Sequence, residues 1–457
     1  MIQETEARAA ALRPTTLLVI GMTLATLYIG ALLILMPTTT YDTWGALILG
    51  PVLLAVTLPA LAHEARTQGR RNMFWLLVAA LILKLVASVV QYHVAFDVYE
   101  GVADSKYYYL SGAEQADRFR ALDFSGLESY TGTNFIVLLT GVLFSIIGPT
   151  RMGGFVFFSW VGYLGLFFFY RAFVTAVPEG RIRSYALLLF FLPTHLFWPS
   201  AIGKEAWMVF SLGIASLGAA RVLRGRTWAG LMMAGLGVWL AALVRPHIAG
   251  LMMVALAAGY LLLRPRRELK QLAPIAKLAA TAALGLVALF FVARADRFLQ
   301  DSGIDTGGGT TSILYQITSR TRIGGSTFYP SILESPLRAP IAVFTVVYRP
   351  LLTEAHNAQA VVAAAEGTFL ILLSFWRIPW ALAALRSIRR QPYVGFAIAF
   401  AGLFIIAHSG IANFGQLVRH RIQLLPLYLV LFAIPPPSTW GRDRSQRDRS
   451  QKDQGSS

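Results

Sequence analysis

The chain of 457 residues contains no cysteine. That excludes a disulfide framework, thiol catalysis and any metal site built on thiolates. Charge is scarce too: Asp, Glu, Lys and Arg make up 14% of the residues, against 56% hydrophobic ones. A soluble domain carries roughly a quarter charged residues, so the composition is that of a polytopic membrane protein. The charge that is present leans one way, with 40 basic and 23 acidic side chains and a net +17. Lysine is rare, limited to Lys84, Lys106, Lys204, Lys270, Lys277 and Lys452; the remaining basic residues are arginine. Much of the excess sits in short segments between apolar runs, where it orients a chain in a bilayer. It is not by itself a nucleic-acid signal. No cleavable signal peptide is expected, because MIQETEARAAALRP is mixed in charge and the first apolar run is long enough to span.

Apolar runs of about 17–25 residues predict spanning helices, which satisfy their own backbone hydrogen bonds. Twelve are expected, near 15–36, 44–62, 73–95, 153–177, 184–200, 205–223, 227–244, 247–263, 273–293, 359–384, 392–410 and 422–437. The expected fold class is an all-α, polytopic transmembrane bundle. Two shorter apolar pieces, 134–148 and 340–352, are expected to be re-entrant or interfacial. Basic clusters at Arg66/Arg70/Arg71, Arg181/Arg183, Arg221/Arg224/Arg226, Arg264/Arg266/Arg267/Lys270 and Arg386/Arg389/Arg390 then fall on one side. The positive-inside rule makes that side cytoplasmic, with both termini there and the chain in the inner membrane. The organisation is a cytoplasmic tail at 1–14, a transmembrane domain at 15–437 with outer loops 96–152 and 294–358, and a disordered polar tail at 438–457. The Gly/Ser/Thr-rich stretch 301–328 is expected to be mobile. Its DTGGGTT lacks the GxxxxGK[ST] pattern of a phosphate-binding loop.

The polar motifs gather on the outer side. The run FLPTHLFWPSAIGKEAW (191–207) sets Lys204 and Glu205 at a seam between two apolar segments, after Ser200. Glu in a first helical turn suits the helix dipole, whereas Lys there calls for an anionic partner. The bland reading of the pair is a snorkelling cap. The first outer loop carries Asp97, Glu100, Asp104, Glu114 and Asp117, with Lys106, Tyr107 and Tyr108 just after Asp104. It reads either as a solvated loop with interfacial tyrosine anchors or as the carrier of a general base. For that base Asp104 is preferred, with Asp97 and Glu100 as fallbacks. Arg245 and His247, Arg349 and His356, and Arg419, His420 and Arg421 mark three further outer seams. Arginines there run against the positive-inside rule, and their forked donors suit a lipid phosphate or pyrophosphate. Six of the seven histidines (His93, His195, His247, His356, His408 and His420) lie at or near that face. They read either as tolerated interfacial residues or as parts of a shared site.

On the acidic loop with its tyrosines (Asp104, Tyr107–Tyr109), the seam Phe197–Glu205 and the Arg-His-Arg before the last span, the chain resembles GT-C-type integral-membrane glycosyltransferases. It is also similar to related bacterial polysaccharide-polymerase-like proteins. The likeness covers most of residues 70–435. One departure is that the acidic loop follows the third span rather than the first. The resemblance implies transfer of a sugar from a polyprenyl-phosphate donor to a glycan or lipid acceptor outside the cytoplasmic membrane. It implies Asp104 as the base, and Lys204, Glu205, Arg245, His247, Arg349, His356, Arg419 and Arg421 at the carrier phosphate. Metal use varies in such enzymes; a divalent cation is optional and nothing in the sequence demands one. The alternatives are a polymerase or ligase acting on lipid-pyrophosphate-linked glycans, and a transporter or flippase of lipid-linked sugars.

The absence of cysteine makes topology directly testable. Single cysteines placed at Ser111 or Ser312 are expected to react with impermeant maleimide from the outer side of intact cells. Labelling from the cytoplasmic side alone would overturn the orientation.

Overall fold

The structure, a computed structural model, describes residues 14–69, 71–101, 104–125, 131–225, 227–263, 273–330 and 335–436. Regular structure there is helical, and the one extended pairing among the described residues is an isolated antiparallel bridge between Thr327 and Asn413. The first helices are α1 (Pro14–Leu35), α2 (Tyr41–Thr67), α3 (Arg71–His93), α4 (Asp104–Arg120), α5 (Thr133–Ile147) and α6 (Arg151–Ala176). Next come α7 (Ile182–Phe191), α8 (Pro193–Phe197), α9 (Lys204–Leu223), α10 (Thr227–Ala242), α11 (Pro246–Leu261) and α12 (Ala273–Asp301). The last are α13 (Gly309–Thr321), α14 (Ala339–Tyr348), α15 (Ala358–Trp376), α16 (Ile378–Ser387), α17 (Pro392–His408), α18 (Phe414–Arg421) and α19 (Leu425–Tyr428).

Among the described residues, five helical runs are long and apolar enough to cross a membrane: Tyr41–Thr67, Asn72–Val98, Arg151–Ala176, Lys204–Leu223 and Ala358–Trp376. A sixth arises if α16 and α17, bent by 113° at their junction, count as one span. Two of the twelve expected runs form as broken helices, and proline explains both. The run 184–200 breaks at Leu192, which is extended (φ −64°, ψ 132°) because the residue before a proline is pushed out of the helical region. The chain restarts at Pro193 and turns again through Trp198–Ser200, where Pro199 leaves helical geometry. The run 422–437 forms only the short α19, with Pro426 in its first turn, and a 3-10 turn Leu429–Phe432. The pieces 134–148 and 340–352 are the short helices α5 and α14. The stretch 301–328 departs from the expected mobile loop. Its middle, Gly309–Thr321, folds as α13, tied to the segment before α18 by Thr318 Oγ1 donating to Gly410 O (2.8 Å) and Ala412 N donating to Thr321 Oγ1 (2.9 Å). The tails 1–13 and 437–457 and the basic loop around Arg264–Lys270 lie outside the described residues.

The core is built on α9, which lies between α6 and α10. Glycine lets α6 and α9 touch backbone to backbone: a Cβ on Gly213 would sit 2.3 Å from Gly165 O. The broken seam 192–203 rests on α6 in the same way, since a Cβ on Gly162 would meet Pro199 O at 2.6 Å.

Buried charges from distant helices hold this seam. Lys84 of α3 is 1% exposed, and its ammonium donates to His195 O (2.7 Å) and Leu196 O (3.0 Å) of α8. Glu366 of α15 accepts from the Thr194 amide (2.6 Å) at the start of α8 and from Arg421 Nη2 (3.2 Å). Arg421 is fully buried and also donates to Val347 O (2.7 Å) and Arg349 O (3.2 Å). Ser159 of α6 donates to Lys84 O (2.6 Å) and lies 3.0 Å from Ser200 Oγ, which donates to Leu196 O (2.5 Å). These groups satisfy backbone atoms that a proline-broken helix leaves open, where no water competes.

Removing one member of a buried ion pair costs about 3–5 kcal/mol, because the other charge is left uncompensated. Arg421→Met is expected to lower stability by that order in thermal unfolding in detergent. Arg421→Met with Glu366→Gln, which keeps an acceptor for the Thr194 amide, is expected to be milder than Arg421→Met alone. A double variant as damaged as the sum of the singles would show that the pair is not what holds the seam.

Candidate functional site

The seam delivers the start of α9 to a point where three distant parts of the chain meet. Gly203 precedes α9 and supplies no side-chain cap, so Lys204 and Glu205 occupy an uncapped first helical turn. Glu205 is 3% exposed. Its Oε1 accepts from Arg245 Nη2 at 3.1 Å, and Arg419 grips the same carboxylate through Nη2 to Oε2 (2.9 Å) and Nε to Oε1 (2.7 Å). The remaining arm of Arg419, Nη1, donates to Asp104 Oδ2 at 2.8 Å. Arg419 thus bridges a buried carboxylate and one whose side chain is 60% exposed at the start of α4. Burial works against its charge, but Glu205 and then Asp104 outweigh that and raise its pKa above the usual arginine value.

Tyr108 of α4 is 3% exposed and packs beside Gly203. Burial, reinforced by Glu205 and Asp104, pushes its phenol up, so it stays a neutral donor. Lys204 makes no hydrogen bond or ion pair among the described residues and lies close enough to Arg245, Glu205, Asp104 and Arg419 to feel all four charges. Two carboxylates face Lys204 and two guanidiniums, so the cluster carries one positive charge in excess. An uncapped helix start with an unpaired lysine suits a phosphate. An exposed carboxylate at the mouth suits proton transfer.

Sequence reasoning names Asp104, Lys204, Glu205, Arg245, Arg419 and Tyr108, and the structure brings these six together. It places the rest elsewhere. Asp97 pairs with His93 (2.6 Å) on an exposed surface, and Glu100 is exposed with a left-handed backbone (φ 50°). Lys106 lays its stem against Gly101, and Tyr107 is 52% exposed. Ser200 is buried in the seam network. Arg349 hydrogen-bonds Glu354 through Nε (3.0 Å) and lies over Phe328 and Phe414, whose rings stack 4.2 Å apart. Burial would raise the Glu354 carboxyl, but Arg349 and the Leu351 amide hold it below its usual range. Arg421 is bound to Glu366, and His356 is exposed. Arg349 and Arg421 are therefore fixing the chain rather than facing the cluster. His247 lies behind Arg245, against Phe298 (5.5 Å between rings).

Glu366 was missed. Its signal is a lone carboxylate inside an apolar helix, which demands a partner. A divalent cation has no ready protein cage, because no three His, Asp or Glu side chains gather as ligands among the described residues.

Beside the cluster lies an apolar cavity of about 700 Å³. Leu83 and Val90 of α3, Phe197 and Trp198 of the seam, Val362 of α15 and Val418 of α18 are among its lining. Tyr99 Oη donates to Gln359 Oε1 (2.6 Å) and ties two of its walls. Val90 and Val362 are each more than half exposed, so the cavity opens towards the surface of the bundle. Helix α18 is shared, with Val418 on the cavity and Arg419 on the charged cluster. No family model, curated protein or solved structure matches the chain.

The geometry separates two acids that look alike in sequence. Glu205→Gln leaves the buried Arg245 and the part-buried Arg419 without their carboxylate and is expected to destabilise by about 3–5 kcal/mol. Asp104→Asn breaks an exposed pair and is expected to cost less than about 1 kcal/mol. Thermal unfolding of both variants in the same detergent checks the order, and a larger loss for Asp104→Asn would contradict the placement.

Proposed function

We propose that the protein is a membrane glycosyltransferase that moves a sugar from a polyprenyl-phosphate-linked donor to a glycan or lipid acceptor on the extracytoplasmic face. The observation that carries this reading is the meeting of Asp104, Lys204, Glu205, Arg245 and Arg419 at an uncapped helix start. The adjacent apolar cavity supports it by offering an isoprenoid chain a place beside a site suited to its phosphate.

In this reaction the acceptor hydroxyl attacks the anomeric carbon and gives its proton to Asp104. The bond from that carbon to the phosphate oxygen breaks, and the electron pair stays on the phosphate. Lys204 at the start of α9 stabilises the departing charge, which is greatest in the transition state. Glu205 holds Arg245 and Arg419 in place. Inversion at the anomeric carbon follows from direct displacement. The arginine-rich connections support twelve crossings, some by broken helices, with both termini in the cytoplasm and the cluster outside.

A transporter is the less favoured reading. The buried charges that would mark a path through the bundle are already engaged: Lys84 on two carbonyls, Glu64 with Arg171 (3.0 Å), and Glu366 with Arg421.

Turnover of a lipid-linked sugar by the purified protein in nanodiscs is the direct test. A positioned base contributes about 10²–10⁴-fold, so Asp104→Asn is expected to lose that much turnover while still binding donor. Lys204→Met is expected to weaken donor binding roughly ten- to a hundredfold, the range for a hydrogen bond to an ionised partner. Undiminished turnover in both variants would leave the reading without its chemistry.

A further inference from the structure

Behind the Glu205–Arg245 pair is a second group of polar side chains that the proposed reaction does not use. Arg245 gives Nη2 to Glu205, while its Nη1 is buried without a partner, in a side chain that is 10% exposed. His247 at the start of α11 and His420 of α18 each have a buried Nδ1 with no partner. His408 at the end of α17 is 5% exposed. It stacks on Phe404 at 3.7 Å, donates Nδ1–H to Phe404 O, and meets the His420 ring edge-on at 5.3 Å. Arg245, His247 and His408 all lie within electrostatic reach of His420. Buried polar atoms are almost always paired, and leaving one unpaired is costly. Three such atoms, on side chains near enough to feel one another's charge, call for an occupant.

We propose that these side chains form an inner chamber for a phosphate group, with Arg245 Nη1 and the Nδ1 atoms of His247 and His420 as its donors. The proposal rests on the phosphate-bearing substrate proposed above and extends it from one phosphate position to two, Lys204 outside and the histidine chamber inside. Arg245 can only donate, and each imidazole can present N–H at Nδ1, so an acceptor-rich ligand fits all three. The positive charge in excess beside the chamber favours an anion over a neutral hydroxyl group. Burial keeps the His420 imidazole uncharged in the free protein, so the chamber does not repel its own arginine when empty. A diphosphate is the ligand that would occupy both positions at once.

The test uses the full-length protein in nanodiscs, with 15N-labelled histidine and inorganic pyrophosphate as probe. The His247 and His420 resonances are expected to shift saturably, while His63, exposed on α2, stays still. His247→Gln and His420→Gln are each expected to weaken pyrophosphate binding at least tenfold. The wild-type spectra stand alone if either variant fails to fold. A second arm replaces pyrophosphate with nanodiscs containing polyprenyl diphosphate or polyprenyl monophosphate. A response to either diphosphate supports the inner site, and the arm that responds tells free from lipid-linked phosphate. Unmoved His247 and His420 resonances with all three probes would overturn it. Sugar turnover is scored separately. Turnover without any histidine response sinks the inner site and spares the transferase; a histidine response without turnover does the reverse.

Discussion

The grip of buried charges on the broken seam is the constraint from which the rest follows. Pro193 and Pro199 interrupt an apolar run that would otherwise cross the bilayer as one helix. Each interruption frees backbone groups, and hydrocarbon offers them nothing. Glu366 meets the Thr194 amide at one end of α8, and Lys84 meets two carbonyls at the other. Arg421 in turn neutralises Glu366. The breaks and the charges therefore belong together: without the prolines the charges would be intolerable, and without the charges the breaks would be. Their joint product is the placement of Gly203 and the first turn of α9 at the edge of the bundle.

That frame sorts the arginines. In the sequence Arg245, Arg349, Arg419 and Arg421 look equivalent, each sitting at an outer seam beside a proline or a histidine. In the structure their acidic partners tell them apart. Arg421 meets Glu366 in the interior and bonds two carbonyls. Arg349 meets Glu354 five residues away and lies against two stacked rings, where it fastens the strand-like segment at Thr327 to Asn413. Only Arg245 and Arg419 share the carboxylate at the seam. A guanidinium whose charge is already matched by a carboxylate of its own attracts an anion less, so counting outer arginines overstates the anion-binding capacity of the chain.

The class of the protein and the importance of the seam were legible because both are local. Hydropathy is a property of runs, and Lys204–Glu205 stands out against its own neighbours. Asp104 with Arg419 was not legible as a pair, because 315 residues separate them and neither carries a mark of the other. The spans were misjudged where hydropathy outweighed proline: Leu192 before Pro193 was a visible break within an apolar run. The stretch 301–328 erred the other way. Its glycines and threonines read as a loop, yet Thr318 and Thr321 turn their hydroxyls to backbone partners and fix α13 in place. Composition reports what a segment does alone, and here a tertiary partner decides.

The sharing of Arg419 sets an order of events in the proposed reaction. Its two contacts with Glu205 are part-buried and bidentate, whereas its contact with Asp104 is exposed. Water and salt weaken the exposed pair more than the part-buried one. A substrate reaching the mouth thus meets one contact that yields and two that hold. In the proposed reaction Asp104 takes a hydroxyl proton with a lone pair turned to the acceptor, which frees one arm of Arg419. Buried Glu205 keeps that arm from swinging away. In the proposed reaction the carboxylate with no proton to move is in this sense as necessary as the one that would move it, and the two acids have separate tasks.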